Sequence, residues 1–487
     1  VELRAVALFD RFAKGSLAGL AGFWVVASVC VRGSGVPDWL LPAALAVGWL
    51  SWPTRAQERP DEVSPPRWLP WGVALVLGVV VAAVVYGAVA TPSRHWDGAA
   101  SFDAKAHWLT VAPTLQQPFF ADPAVFHHSP DYPLLQPLLV AAVERLSVPG
   151  GGRLVFPGLF VLLLAIVHVA LREARVRPLL RWCTVLAVGT TPMLVGPGGG
   201  AVDSGYCDLL LLVATTAMAA GLLQRSGPQL AVAILVAIAS KPEGLPYAAV
   251  AWLAAFVQGE RRLLLAAAVG TAGGLGLWLP LQRALLHLPA EGGAGNVALA
   301  VAAVAVATVG ALAVDALARR SRRPMAVRVA VALGLPLTAL ACLPLFASEL
   351  GSGPTAFGVY LTNAGRLWQN LPNLLPYGWG LVEYGVLRWH FGATFLLPIA
   401  ALVALRCRGS GCAGPVAVFT GLGLLTTALP FLLSPEPDLQ HHLRSSLPRL
   451  LLHWLGPCWL LAAAWSDALL SPSAPERGCA TAPPPRS

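Results

Sequence analysis

Apolar runs of about 16–23 residues recur along nearly the whole chain, separated by short turns that carry arginine. A run of that length, wound as a helix, covers most of the roughly 30 Å hydrocarbon thickness of a bilayer. Inside lipid only helices and closed barrels satisfy every backbone donor and acceptor. Long runs that are apolar throughout, without strand alternation, select the helix. The expected fold is therefore an all-α polytopic membrane protein. The runs fall at residues 15–31, 39–53, 68–90, 153–171, 182–197, 207–223, 228–240, 246–257, 263–285, 296–318, 325–347, 391–406, 413–433 and 449–470. That is about fourteen crossings. The two at 228–240 and 246–257 are too short to cross comfortably and read as a tilted or broken hairpin. Charged residues make up 12% of the chain, against about 25% in soluble domains, and the 487 residues leave no room for a separate soluble domain.

Charge placement sets the expected topology. The net charge of +9 comes from short basic clusters between apolar runs, which marks topology determinants and not a nucleic-acid surface. Segments 1–14, 54–67, 172–181, 258–262 and 319–323, with Arg406 and Arg408, all fall on one side if residues 133–148 do not cross. The segment PLLQPLLVAAVERLSV is then an amphipathic helix lying on the outer surface. The expected division is a two-span extension (1–67), a membrane domain (68–470) with an outward loop at 91–152, and a disordered cytoplasmic tail (471–487). No cleavable signal peptide is evident. The expected location is a cell inner or plasma membrane, multi-pass, with both termini cytoplasmic.

The outward loop gathers the groups able to do chemistry. From Trp96 to Leu139 it carries Asp97, Asp103, Lys105, His107, Asp122, His127, His128, Asp131 and Tyr132. A carboxylate such as Asp97, at the mouth of a helix bundle, is a general base when partly desolvated and an ordinary loop aspartate when solvated. Lysine is scarce: only Lys14, Lys105 and Lys241 among 33 basic residues. Lys105 and Lys241 both fall on the outward side beside carboxylates, Asp103 and Glu243. Each ammonium could hold a phosphate as a point charge or pair locally. Asp208, at the start of a run after GYC, suits either a helix N-terminus or a substrate. Arg449 could grip a lipid phosphate or snorkel at the interface. The HH pairs at 127–128 and 441–442 and the eight cysteines lack metal-ligand spacing, so no metal site is expected. The aromatic-rich stretch 348–390 reads as interfacial anchors or as stacking surface.

In order, the chain contains WDGAASFDAKA, HSPDYPLLQPLL, GYCDLLL, SKPEGLP and LPRLLLHWLGP. This set resembles the bacterial GT-C glycosyltransferases, the superfamily of protein O-mannosyltransferases, aminoarabinose transferases and lipopolysaccharide-core glycosyltransferases. The resemblance covers residues 68–257 well and the last span loosely. It implies a large first outward loop with juxtamembrane helices and an acidic site. On that resemblance Asp97 is the general base that deprotonates an acceptor hydroxyl. Lys105, Asp131, Tyr132, Asp208, Lys241, Glu243 and Arg449 bind donor or substrate. Two residues separate His128 from Asp131 where the family has one, which weakens His128. Cys207 stands where alanine is usual, and Pro242 lies between Lys241 and Glu243. Asp103 is not part of the pattern, so its role is open.

The implied donor is a polyprenyl-phosphate sugar. The implied acceptor is an envelope glycan, lipid or protein outside the cytosol, with membrane lipids as the surroundings. No cofactor is required by the residues, although carboxylates beside a phosphate could recruit a divalent cation. The competing class is a secondary transporter or lipid flippase, which also has many helices but usually shows repeated halves and midplane charges. No repeat is visible here, and the charges sit mainly at one expected membrane face, although the short 228–257 hairpin would suit either class.

Overall fold

The computed structural model describes residues 8–52, 66, 68–90, 98–122, 132–196, 205–287, 293–332, 334, 366–388, 390–391, 394–395, 414–433 and 438–470. Among the described residues 82% are helical and none lies in a strand, so each segment satisfies its backbone internally, as lipid requires. Among the described residues six helices are long and apolar enough to cross a membrane, and further apolar helices are shorter.

The helices used below are α1 (Leu8–Cys30), α2 (Leu40–Ser51), α3 (Trp68–Ala90), α4 (Ala104–Val111), α5 (Leu135–Leu146), α6 (Val155–Glu173), α7 (Pro178–Gly189) and α8 (Asp208–Leu223). Then come α9 (Gly227–Ser240), α10 (Gly244–Gln258), α11 (Arg261–Leu285), α12 (Gly293–Ala318), α13 (324–332), α14 (Gly414–Thr426), α15 (Leu439–Leu452) and α16 (Leu455–Leu470). Start signals are local: Pro178 opens α7, Pro228 lies in the first turn of α9, and Asp438 accepts from the His441 backbone N–H at the head of α15. Gly259, at φ 68°, takes the left-handed conformation that ends α10.

Burial separates a core from a shell. Every residue of α8 from Asp208 to Leu222 is buried, and α6 is nearly so. An apolar helix buried on all sides belongs at the centre of a bundle. The outer faces of α3 and α12 are bare, with Leu75, Val79 and Tyr86 on one and Leu299, Val306 and Val309 on the other exposed, as for helices facing lipid. The core helices are short. At 1.5 Å per residue α8, α9 and α10 extend roughly 21–24 Å, against roughly 34–39 Å for α3, α11 and α12.

The side-chain contacts sort the bundle into two ends. At one end Lys14 pairs with Glu173 (2.6 Å) and Asp10 pairs with Arg172, so the start of α1 meets the close of α6. There too Arg177 meets Asp467 near the end of α16, and Arg225, after α8, meets Glu260 (3.0 Å), before α11. Arg261 and Asp315 join the start of α11 to the end of α12. The described arginine-rich turns therefore share this end. At the other end lie α4 and α5. Gln136, at the start of α5, donates to the Gly205 carbonyl (2.8 Å) just before α8, and Glu144, near its close, accepts from Gly150 and Gly152 just before α6. Both ends of α5 thus sit at one end of the bundle. With twelve residues, roughly 18 Å, and both ends at one end of the bundle, α5 does not span it. It differs from the amphipathic surface helix expected at 133–148 in its burial: every residue from Leu135 to Ala142 is buried, so its first two turns are enclosed on all sides, with α4 and the turn before α6 among its neighbours.

The segment set apart as an N-terminal extension is tied to the rest at both ends. Besides the Asp10 and Lys14 pairs, Asp38 pairs with Arg145 of α5, and the backbone N–H of Val36 donates to Pro113 (3.0 Å). Its two helices approach closely because Gly15 and Gly19 face Gly48, where a Cβ would collide with backbone. The final run departs from expectation: the apolar stretch 449–470 is not one helix. The chain breaks at His453–Trp454, so Arg449 belongs to α15 and the last membrane helix begins at Leu455. The expected span 325–347 is helical over 324–332, and most of it, like 391–406, lies outside the described residues.

Candidate functional site

The site is built on Asp208, the first residue of α8, at the end of the bundle that holds α4 and α5. Gly205, at φ 74°, turns the chain into α8, and Tyr206 and Cys207 follow before the carboxylate. Asp208 is 1% exposed. A carboxylate buried so deeply needs partners on both oxygens. Oδ1 accepts from Lys241 Nζ (2.8 Å) and lies 2.8 Å from His453 Nε2. Oδ2 accepts from Arg449 Nε (2.9 Å). Four segments meet here: the head of α8, the α9–α10 turn, α15 and the break after it.

A second layer fixes these groups. The Tyr247 hydroxyl lies 3.0 Å from His453 Nδ1. With Nε2–H donating to Asp208, a neutral imidazole accepts the Tyr247 proton at Nδ1, which satisfies both ring nitrogens. Thr215 donates to the His453 carbonyl (2.6 Å) and holds the helix break in place. The Arg449 guanidinium lies over the Tyr206 ring, 3.7 Å from its centroid, a cation–π contact that leaves the plane of the fork aimed at Asp208. Cys207 Sγ donates to the Ser240 carbonyl (3.2 Å) and locks the start of α8 to the end of α9.

The α9–α10 turn supplies both signs of charge. Lys241 lies between Asp208 and Glu243 Oε1 (3.3 Å). Burial disfavours its ammonium, but Asp208 and Glu243 more than counter this, and its pKa lies above the ordinary 10.5. Burial also opposes ionisation of Glu243, whose pKa is nevertheless held below 4.5, chiefly by Lys241 and then by His453. Both groups are charged at neutral pH. Glu243 Oε2 is buried without a hydrogen-bond partner among the described residues. A buried carboxylate oxygen in that state is a candidate acceptor for a hydroxyl or water.

Of the residues singled out in the sequence, Asp208, Lys241, Glu243 and Arg449 come together. Lys105, on α4 at the same end of the bundle, is fully buried, and its ammonium acts on Cys207 only as the weakest of several charges; no hydrogen bond or ion pair among the described residues joins it to Asp208, Lys241 or Arg449. Tyr132 packs its ring 5.9 Å from that of Phe102, the buried aromatic ahead of α4, and so braces the segment that carries Lys105. Asp103 immediately precedes α4 without capping it. Asp97, His128 and Asp131 lie outside the described residues, as do His127 and Asp203. His442 packs on Phe431 (4.8 Å). In the aromatic-rich stretch, Tyr377 and Tyr384 are buried while Trp368 and Trp379 are exposed, which divides those rings between packing and anchoring.

Among the described residues no three His, Cys, Asp or Glu side chains cluster to hold a metal ion. The oxygens of Asp208 face an ammonium, a guanidinium and an imidazole, an environment that repels a further cation. His453 and Tyr247 are the members of the site not singled out in the sequence. Their signal was spacing: Arg449 and His453, like Glu243 and Tyr247, are four residues apart and so share a helix face. In chemical terms the site is two cations, Lys241 and Arg449, and an imidazole, His453, arranged about the buried carboxylate of Asp208 at one end of a membrane bundle, the end that also carries buried Lys105. Set against known proteins, the chain matches no family model and no curated protein.

Proposed function

We propose that the chain is a membrane glycosyltransferase of the GT-C type, moving a sugar from a polyprenyl-phosphate donor to an acceptor on the non-cytosolic side. The observation that carries this reading is the meeting of Lys241 and Arg449 on buried Asp208, at the end of the bundle away from the described arginine-rich turns. By the positive-inside rule the arginine end is cytosolic, which gives the cation group an outward aspect. A lipid-linked sugar presents its phosphate at the membrane surface, within reach of such a group.

In the proposed reaction an acceptor hydroxyl attacks the anomeric carbon. A new glycosidic C–O bond forms as the bond to the donor phosphate breaks, and the electron pair leaves with the phosphate. Cations preorganised in a water-poor site stabilise that developing charge. The hydroxyl proton passes to Asp97, the base assigned from the family resemblance. Attack in line with the departing phosphate inverts the anomeric configuration. Asp208 holds the Lys241 and Arg449 head groups in place, and Glu243 Oε2 is suited to orient the acceptor hydroxyl.

The test is transfer by the purified chain in liposomes containing a panel of polyprenyl-phosphate hexoses and pentoses, followed by mass analysis of lipid and acceptor. The wild type should consume one donor. Asp97→Asn should abolish transfer while still binding the lipid, and Lys241→Gln should slow it. The buried Asp208–His453–Lys241 group also fits the charged interior of a transporter. Movement of the donor lipid between leaflets with no transfer of sugar would assign the chain to that class.

A further inference from the structure

At the opposite end of the bundle a second buried carboxylate collects arginines. Asp315, in the last turn of α12, has a side chain only 2% exposed. Its Oδ2 accepts from Arg319 Nε (2.9 Å) and Arg261 Nε (3.3 Å), and its Oδ1 from Arg328 Nε (2.9 Å) and Nη2 (2.7 Å). Arg319 Nη2 also donates to the carbonyl of Gly259 (2.8 Å). One acid thus fixes three guanidinium groups, drawn from the head of α11, the end of α12 and α13. The side chains of Arg261 and Arg319 remain about half exposed. Arg320, Arg322 and Arg323 follow in an exposed turn. The neighbouring acid Glu260 is already paired with Arg225.

Topology alone would need only scattered basic residues near the helix ends. It would not need three guanidinium groups held in register by a buried aspartate. Held arginines are suited to phosphate, whose oxygens accept paired N–H donors. Bare hydrocarbon flanks the cluster at Val309, roughly 80° around α12 from Arg319, and the exposed face continues from there to Val306, Leu317 and Leu299 on the side opposite Asp315. A soluble phosphate would leave that face unused, whereas a lipid would bury it.

We infer that the arginine cluster organised by Asp315 binds the phosphate of an anionic phospholipid, whose acyl chains lie along the outer face of α12. Basic pockets between helices on the cytosolic side of a membrane commonly take such head groups. This inference does not depend on the proposed transfer reaction.

The test is native mass spectrometry of the purified full chain in detergent, titrated with phosphatidylglycerol, phosphatidylcholine or soluble glycerol phosphate. Phosphatidylglycerol should be retained at a concentration about tenfold lower than phosphatidylcholine, and glycerol phosphate should not be retained. The variant Arg328→Gln should weaken phosphatidylglycerol retention. Because it also removes a bond to buried Asp315, Arg261→Gln, at a half-exposed member of the cluster whose bond to Asp315 is the longest (3.3 Å), gives a milder check. That variant should weaken retention about fivefold. Equal retention of the two phospholipids, equal retention of glycerol phosphate, or unchanged retention by both Arg328→Gln and Arg261→Gln would overturn the assignment.

Discussion

Replacing Lys241 with methionine probes the candidate site most directly. The substitution keeps an unbranched apolar stem and removes one charge from a place where the ammonium is 3% exposed. Asp208 would keep Arg449 (2.9 Å) and His453 (2.8 Å) but lose one of the two donors to Oδ1. Glu243 would lose its ion-pair partner, with its side chain 26% exposed and so partly relieved by water. Removing one member of a buried pair costs about 3–5 kcal/mol, because the remaining charge is left uncompensated. With two partners still on Asp208, the low end applies, about 3 kcal/mol. The double variant Asp208→Asn/Lys241→Met removes both charges and should be less destabilised than the sum of the two singles by about 1–3 kcal/mol. Reversible unfolding in mixed micelles, read by tryptophan fluorescence, gives all four corners of the cycle. A Lys241→Met protein within about 0.5 kcal/mol of wild type, or additive singles, would refute the claim that this pair is desolvated and coupled.

Further outcomes follow from the same geometry. His453→Ala should cost more stability than Tyr247→Phe, because the first strips a donor from buried Asp208 and orphans the Tyr247 hydroxyl. The second loses one hydrogen bond, about 0.5–1.5 kcal/mol, and the same unfolding assay ranks them. The lowered pKa of Glu243 means its contribution is present above the ordinary 4.5 and lost as pH falls through the lower folded value; that of Lys241 is lost only as pH rises above 10.5. Thermal unfolding should therefore show no step from this pair between pH 5 and pH 9, in wild type or in Glu243→Gln; a step that Glu243→Gln abolishes would contradict it. Gly423→Val should destabilise by about 1–3 kcal/mol, since a Cβ there meets the buried Trp454 ring, and a thermal-shift assay should register the loss.

The membrane helices were legible wherever an apolar run ended at charge or glycine. The run 68–90 coincides with α3, and 207–223 and 263–285 match α8 and α11 to within two residues. The run 449–470 misled because it is apolar on both sides of the break, and the one polar residue at the break, His453, is too little to end an apolar run. Its other sequence traces are Pro448 and the Gly456–Pro457 pair. The site was legible where rarity flagged a residue: three lysines in a chain of arginines directed attention to Lys105 and Lys241. His453 and Tyr247 sit in apolar surroundings, and only their four-residue spacing from Arg449 and Glu243 ties them to charge. The link between Asp208 and Arg449, 241 positions apart, is a matter of tertiary packing, which periodicity does not encode.

The reach of that link has a consequence for how the protein is made. Asp208 opens α8 and Lys241 closes the next helix, so the two can enter the translocon as a paired charge on one hairpin, sparing the bilayer two isolated charges at up to about 3 kcal/mol each. Arg449 emerges from the ribosome 208 residues after Lys241, on the order of 10–40 s later at ordinary synthesis rates. During that interval the nascent chain carries the aspartate with only its lysine. The arrival of the last helices then completes a pocket whose first half was already inserted.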